Sequence, residues 1–195
     1  MNSIALQWLR HSLAAVAAMA VLAGCAEDSP VGPVATLATA PGTDTDNLAP
    51  DLGSCDTLRA PAGSELVFHA YAQGVQVYRW AGTSWSLDGP SAKLFADARG
   101  KAAVGTHYAG PTWKSTSGST VVGAVRDRCT PNPDAIPWLL LGAVSSEGPG
   151  VFQGVTHIQR VNTVGGKAPA EPGEFEGEEV RVPYTAEYYF YKAKK

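Results

Sequence analysis

Residues 180–191 read VRVPYTAEYYFY. Apolar and polar side chains alternate along this stretch with a period of two. Val180, Val182, Tyr184, Ala186, Tyr188 and Phe190 fall on one face. Arg181, Pro183, Thr185, Glu187, Tyr189 and Tyr191 fall on the other. A period of two belongs to a β-strand, with one face expected dry and the other wet. Pro183 has no N–H to donate to a ladder, so it marks an edge or a bulge.

Working outward from this strand, the rest of the chain beyond Leu52 repeats the same signals. Short apolar runs are separated by Gly- and Pro-rich turns every eight to twelve residues or so. Residues 65–71 and 75–80 flank Ala72-Gln73-Gly74, a hairpin candidate. Residues 84–87 and 92–96 flank Asp88-Gly89-Pro90. Further strands are predicted over 101–108, 120–126, 136–145 and 150–162. Residues 167–179, KAPAEPGEFEGEE, read as an exposed acidic loop. No window carries a sustained 3.6-residue period, so little helix is expected. The predicted fold is all-β: one antiparallel domain, a sandwich or barrel of about eight to ten short strands.

The N-terminus carries a different message. Residues 1–12 hold Arg10 and His11 and no acid, and residues 13–22, LAAVAAMAVL, are apolar throughout. That run is too short to cross a bilayer, which takes about 20 apolar residues, but it suits a secretory signal. The next residues, Leu22-Ala23-Gly24-Cys25, resemble the lipobox of bacterial lipoproteins at all four positions. The resemblance implies cleavage before Cys25, lipidation of that residue, and a membrane partner reached through the anchor. The alternative is a plain secretory signal and a secreted protein. Residues 25–50 are rich in Pro, Ala, Thr and Asp without an aromatic ring, and read as a disordered tether. Residues 51–195 are the domain.

The whole chain carries a formal charge of −3, and loss of residues 1–24 with Arg10 makes it one unit more negative. An acidic chain without a basic block is not built for nucleic acid, where Lys and Arg must neutralise phosphates. Cys55 and Cys129 remain as a candidate disulfide, since exported proteins sit where disulfides persist. Such a bridge would constrain the unfolded chain by on the order of 4 kcal/mol. Two unpaired thiols are the alternative.

Motifs for chemistry are sparse. His69, His107 and His157 are far apart and lack short metal-ligand spacing, so no metal site is expected. GxGxxG and the phosphate loop are missing, so neither a nucleotide nor any other cofactor is expected. No GxSxG elbow occurs. Asp127 and Glu147 are isolated acids, although strands can bring a carboxylate pair together from afar. Trp80 and Trp138 read as core. His107, Tyr108 and Trp113, gathered around the Gly110-Pro111 turn, are the best case for an exposed aromatic site. The competing reading is that these rings simply fill a core.

Five stretches carry a resemblance. THYAGPTW (106–113), GSTVVG (118–123), AIPWLLL (135–141), IQRVNTVGGKAP (158–169) and VPYTAEYYFY (182–191) resemble the motifs of domain of unknown function 3455. The similarity runs over residues 61–191. It implies an exported or envelope domain of bacteria and fungi with no agreed activity, and no catalytic residue to carry over. Some relatives bear a dehydrogenase label, which the missing dinucleotide fingerprint argues against. The resemblance also implies a Cys shortly after the GGxAP motif. Here EPGEFEGEE follows it without one, which leaves Cys55 as the substitute partner for Cys129.

The expectation is therefore a cell-envelope lipoprotein with a non-catalytic binding or structural domain, whose partner is a glycan or an envelope protein. The candidate ligand-binding residues are His107, Tyr108, Trp113, Arg160 and Asn162. Arg160 and Asn162 have a structural alternative, the satisfaction of buried backbone groups. The rival function is a hydrolase of envelope polysaccharide working through cross-strand carboxylates.

Overall fold

The computed structural model describes residues 49–195. The expected signal peptide, Cys25 and nearly all of the tether lie outside these residues. The domain is one antiparallel sheet closed on itself. Its strands are β1 (Ser64–Trp80), β2 (Trp85–Phe95), β3 (Ala103–Tyr108), β4 (Thr112–Ser115), β5 (Thr120–Cys129), β6 (Trp138–Glu147), β7 (His157–Gly165) and β8 (Glu179–Ala193). Each pairs with its neighbour in sequence, and β1 pairs with β8 to close the ring. Bulges in most of these pairings make it an irregular barrel. The helix content of the described residues is one 3-10 turn, Asp56–Leu58.

Two expected turns are not turns. Ala72-Gln73-Gly74 lies inside β1, which runs on for 17 residues. A Cβ on Gly74 would meet the Ala92 Cα and Cβ at 2.5 Å, so glycine here permits a close crossing of β1 and β2. Asp88-Gly89-Pro90 lies inside β2. Gly89, at φ 140°, sits opposite a register shift between Val77 and Tyr78, where the ladder takes up a bulge. The strand expected over 150–162 begins later: residues 151–154 turn, and β7 starts at His157.

The alternation of β8 builds the core. Tyr184, Ala186, Tyr188 and Phe190 point into the barrel with Phe68, Ala70, Ala72, Leu94, Trp113, Leu141, Phe152 and Ile158. Pro183 is accommodated at the end of β7: its carbonyl accepts from Gly166 N–H, and β7 ends at Gly165, paired with Tyr184. The Gly166 carbonyl accepts from the Tyr78 hydroxyl at 2.7 Å in place of the N–H that proline lacks.

The opposite face of β8 is not wet along its length. Tyr189 and Tyr191 are 6% and 5% exposed. Leu52, Cys55 and Leu58, from the segment before β1, cover them together with Leu66, Leu140 and Val161. A disulfide from Cys55 to Cys129 ties that segment to β5. Gln159 Nε2 donates to the Leu58 carbonyl at 2.6 Å and Gln159 Oε1 accepts from the Tyr191 hydroxyl. Trp138, expected in the core, is half-buried against this outer cluster. Trp80 is also only half-buried, with the Gly173 backbone against its ring.

Candidate functional site

The five residues singled out from sequence divide between the two sides of the sheet. His107 on β3 and Trp113 on β4 are directly opposite partners. Their rings stack at 4.3 Å and 9°. They do not lie on an exposed turn: His107 is 2% and Trp113 1% exposed. Both meet the Tyr188 ring edge-on, at 5.0 and 5.3 Å. The Gly110-Pro111 turn is exposed, but alternation sends both of these rings inward and Tyr108 outward. His107 Nδ1–H donates to the Thr112 carbonyl at 2.9 Å. Burial pushes its pKa down to about 3, against a small upward pull from that carbonyl, so the ring is neutral.

Arg160 pairs with Tyr188 across β7 and β8 and so also faces inward. Its Nε and Nη2 donate to the Pro137 carbonyl at 3.1 and 2.8 Å. Asn162, two residues on, would share that face in a regular strand. A bulge between Val161 and Val164 turns it outward instead. Asn162 has φ 51°, a left-handed conformation that asparagine tolerates better than most residues.

Asn162 leads to a constellation that the sequence reading missed. Its Nδ2 donates to Glu187 Oε1 at 2.9 Å. Glu187 Oε2 accepts from His69 Nε2 at 2.8 Å and from the Tyr189 hydroxyl at 2.8 Å. His69 lies across the β1–β8 pairing from Tyr189 and stacks on it at 4.1 Å and 13°. Tyr71, two residues along β1, leans on the same imidazole at 4.6 Å and 53°. Both carboxylate oxygens are thus engaged by donors fixed on three strands.

The electrostatics follow from these contacts. The hydrogen bond from His69 holds the Glu187 carboxyl below its ordinary range, opposed by partial burial and helped by Asn162 and Tyr189. The Tyr189 hydroxyl is pushed up by burial and then by the Glu187 charge it donates to. Tyr71 is raised by burial first and then by the charges of Glu187 and Asp97. Glu187 is therefore a fixed, ionised acceptor and not a proton donor at neutral pH.

Beside this constellation lies a cleft of about 210 Å³ lined by Tyr71, Gln73, Ala98, Asn162, Thr185 and Glu187. It sets one aromatic ring beside amide, hydroxyl and carboxylate groups. A second cleft of about 300 Å³ lies around Arg79, Trp80 and Asp88. There Arg79 is already neutralised by Asp88 at 2.8 Å and Glu179 at 3.2 Å. Among the described residues, no group of three or more His, Cys, Asp and Glu side chains is gathered for a metal ion.

The face that carries Glu187 and Tyr189 was legible in the alternation of residues 180–191. Its partner was not. His69 is 118 residues away from Glu187, and only closure of β1 onto β8 brings the two together. The cue in the sequence was the His69–Tyr71 pair at i, i+2 on a strand.

Residues 61–192 match the model of a family described as "Protein of unknown function (DUF3455)". No curated protein and no solved structure matches the chain.

Proposed function

The chain belongs to the DUF3455 family, and on that premise we propose that it is an exported, lipid-anchored domain of the cell envelope whose outer cleft binds one sugar unit of a glycan. The observation that carries this reading is the cleft's composition. A sugar presents an apolar C–H face and a rim of hydroxyls. The Tyr71 ring matches the first. Gln73, Asn162, Thr185 and Glu187 match the second. The cleft is smaller than a drug-sized pocket, which suits a single ring and not an extended chain.

Binding is favoured over hydrolysis by the same geometry. Glycoside hydrolysis uses two carboxyl groups facing each other across the bond, one of them with a raised pKa. The cleft is lined by one carboxylate, Glu187, and its pKa is lowered. The export half of the proposal rests on the Leu22-Ala23-Gly24-Cys25 motif. The Cys55–Cys129 disulfide suits an oxidising compartment.

The test is calorimetric titration of the mature protein with a panel of neutral envelope oligosaccharides. Tyr71→Ala is expected to weaken the hit about tenfold, from loss of an aromatic contact worth roughly 1.4 kcal/mol. Native-like affinity in both the Tyr71→Ala and Asn162→Ala variants would place the sugar elsewhere.

A further inference from the structure

The barrel interior is not uniformly apolar. One part is aromatic packing: Phe68, Phe152 and Phe190 lie within 4.7–5.8 Å of one another. Another part is polar. Gln76 is 1% exposed, Tyr184 3%, Tyr188 0% and Trp113 1%. Gln76 Nε2 and Oε1 and Trp113 Nε1 have no hydrogen-bond partner among the described residues, and the hydroxyls of Tyr184 and Tyr188 have only each other and Arg160 nearby, beyond hydrogen-bond distance. Leaving a buried polar group bare costs more than making a hydrogen bond gains. Each such group in a folded protein therefore calls for an occupant or a role. Five such atoms in one barrel are too many to leave as isolated defects.

These groups surround one another. Gln76 and Tyr184 both close on Gly166, where an added Cβ would meet the Tyr184 Cβ at 2.9 Å and the Gln76 Cγ at 3.2 Å. Tyr188 meets Trp113 edge-on at 5.3 Å. Arg160 faces inward opposite Tyr188, and its charge is felt by Tyr184, Tyr188 and His107. Arg160 is half-buried. Its Nε and Nη2 go to the Pro137 carbonyl. Among the described residues, no carboxylate pairs with it.

The donor balance defines the occupant. Trp113 Nε1, Gln76 Nε2 and Arg160 can only donate, and a neutral tyrosine hydroxyl donates readily. Burial keeps both hydroxyls protonated by raising their pKa. Two acceptors oppose an anion pressed directly against them: Gln76 Oε1 and the unprotonated Nε2 of neutral His107. We propose that the polar part of the barrel interior binds a small oxyanion, of carboxylate or phosphate size, through Arg160, Trp113 Nε1, Gln76 Nε2 and the hydroxyls of Tyr184 and Tyr188. An eight-stranded barrel is wide enough to be filled by side chains or to hold one small ligand. The site is separate from the outer cleft and stands or falls without it.

The test follows the thermal midpoint of the mature protein as acetate, formate or inorganic phosphate replaces chloride at constant ionic strength. A saturable rise of several degrees at about a hundredfold excess over the dissociation constant is expected for at least one of them. Tyr184→Phe and Tyr188→Phe keep ring volume, so both should fold. Each should weaken the response at least threefold, and Arg160→Gln should abolish it. Arg160→Gln also gives up the Pro137 contact, so if it fails to fold the two Phe variants decide. Tyr71→Ala, in the outer cleft, should respond like the native chain. A midpoint insensitive to anion identity would overturn the proposal and leave ordered water as the occupant. So would an undiminished response in both Phe variants.

Discussion

The barrel contains two histidine–aromatic stacks of nearly the same shape and opposite character. His107 lies on Trp113 at 4.3 Å and 9°, and His69 lies on Tyr189 at 4.1 Å and 13°. The first is inside, sealed from water, and gives its ring proton to a backbone carbonyl. The second is outside, and gives its ring proton to a carboxylate beside a cleft. Stacking geometry alone does not distinguish a sealed imidazole from one beside a cleft. The partner of the second ring atom and access to solvent do. A neutral interior imidazole fills volume and satisfies Thr112. The imidazole on Glu187 belongs to a charged network that a ligand can reach.

The largest way to break this comparison is to remove an interior ring. Trp113→Ala deletes a side chain packed against His107, Tyr188 and Phe190. It should cost about 3–5 kcal/mol by chemical denaturation. A loss below about 1 kcal/mol would mean that the ring does not hold the core together.

Acid separates the two stacks next. His107 in the folded chain has its pKa lowered to about 3 from 6.5. Between those values the unfolded chain binds a proton that the folded chain refuses. Stability therefore falls on acidification from about pH 6.5 toward 3, by up to about 1.4 kcal/mol per pH unit. His157, lowered by burial and by Arg126, acts in the same direction. His107→Gln should flatten the slope most between pH 6 and 5 or so, above the range in which carboxylates titrate. Glu187 contributes stability that is present above its unfolded pKa and lost as pH falls through its lowered folded pKa. Glu187→Gln is expected to cost about 1–2 kcal/mol at pH 7 and to flatten the curve only below about pH 4.5. Coincident changes in the two variants would erase the distinction drawn here. Urea titrations across pH give both curves.

How much of this was legible in the sequence depends on the range of the interaction. The inward residues of β8 were read from alternation alone, because a strand's faces are a local property. The outward tyrosines were read as wet because their cover, Leu52 to Leu58, lies far away along the chain and is tied down through a disulfide. Gly74 and Gly89-Pro90 looked like turns because glycine and proline mark turns most often. Here they serve a close strand crossing and a bulge. Arg160 and Asn162 were named together from one motif, IQRVNTVGGKAP, and the β7 bulge sends them to opposite sides of the sheet. His107 and Trp113 were gathered around the Gly110-Pro111 turn, which the structure makes the bend between β3 and β4. Their direction depended on which face of β3 the closed sheet turned inward, which a strand of six residues did not reveal.

The most direct measurement is a long-range proton–nitrogen correlation spectrum of the imidazoles at pH 8. The account predicts opposite tautomers, because the two rings donate from different nitrogens. His107 should carry its proton on Nδ1, facing Thr112, and His69 should carry its proton on Nε2, facing Glu187. Lowering the pH should leave the His107 signals in place until the protein approaches pH 3 or unfolds. The same tautomer in both rings, or a His107 that titrates near 6.5, would contradict the placing of one imidazole in the sealed interior and the other beside the outer cleft.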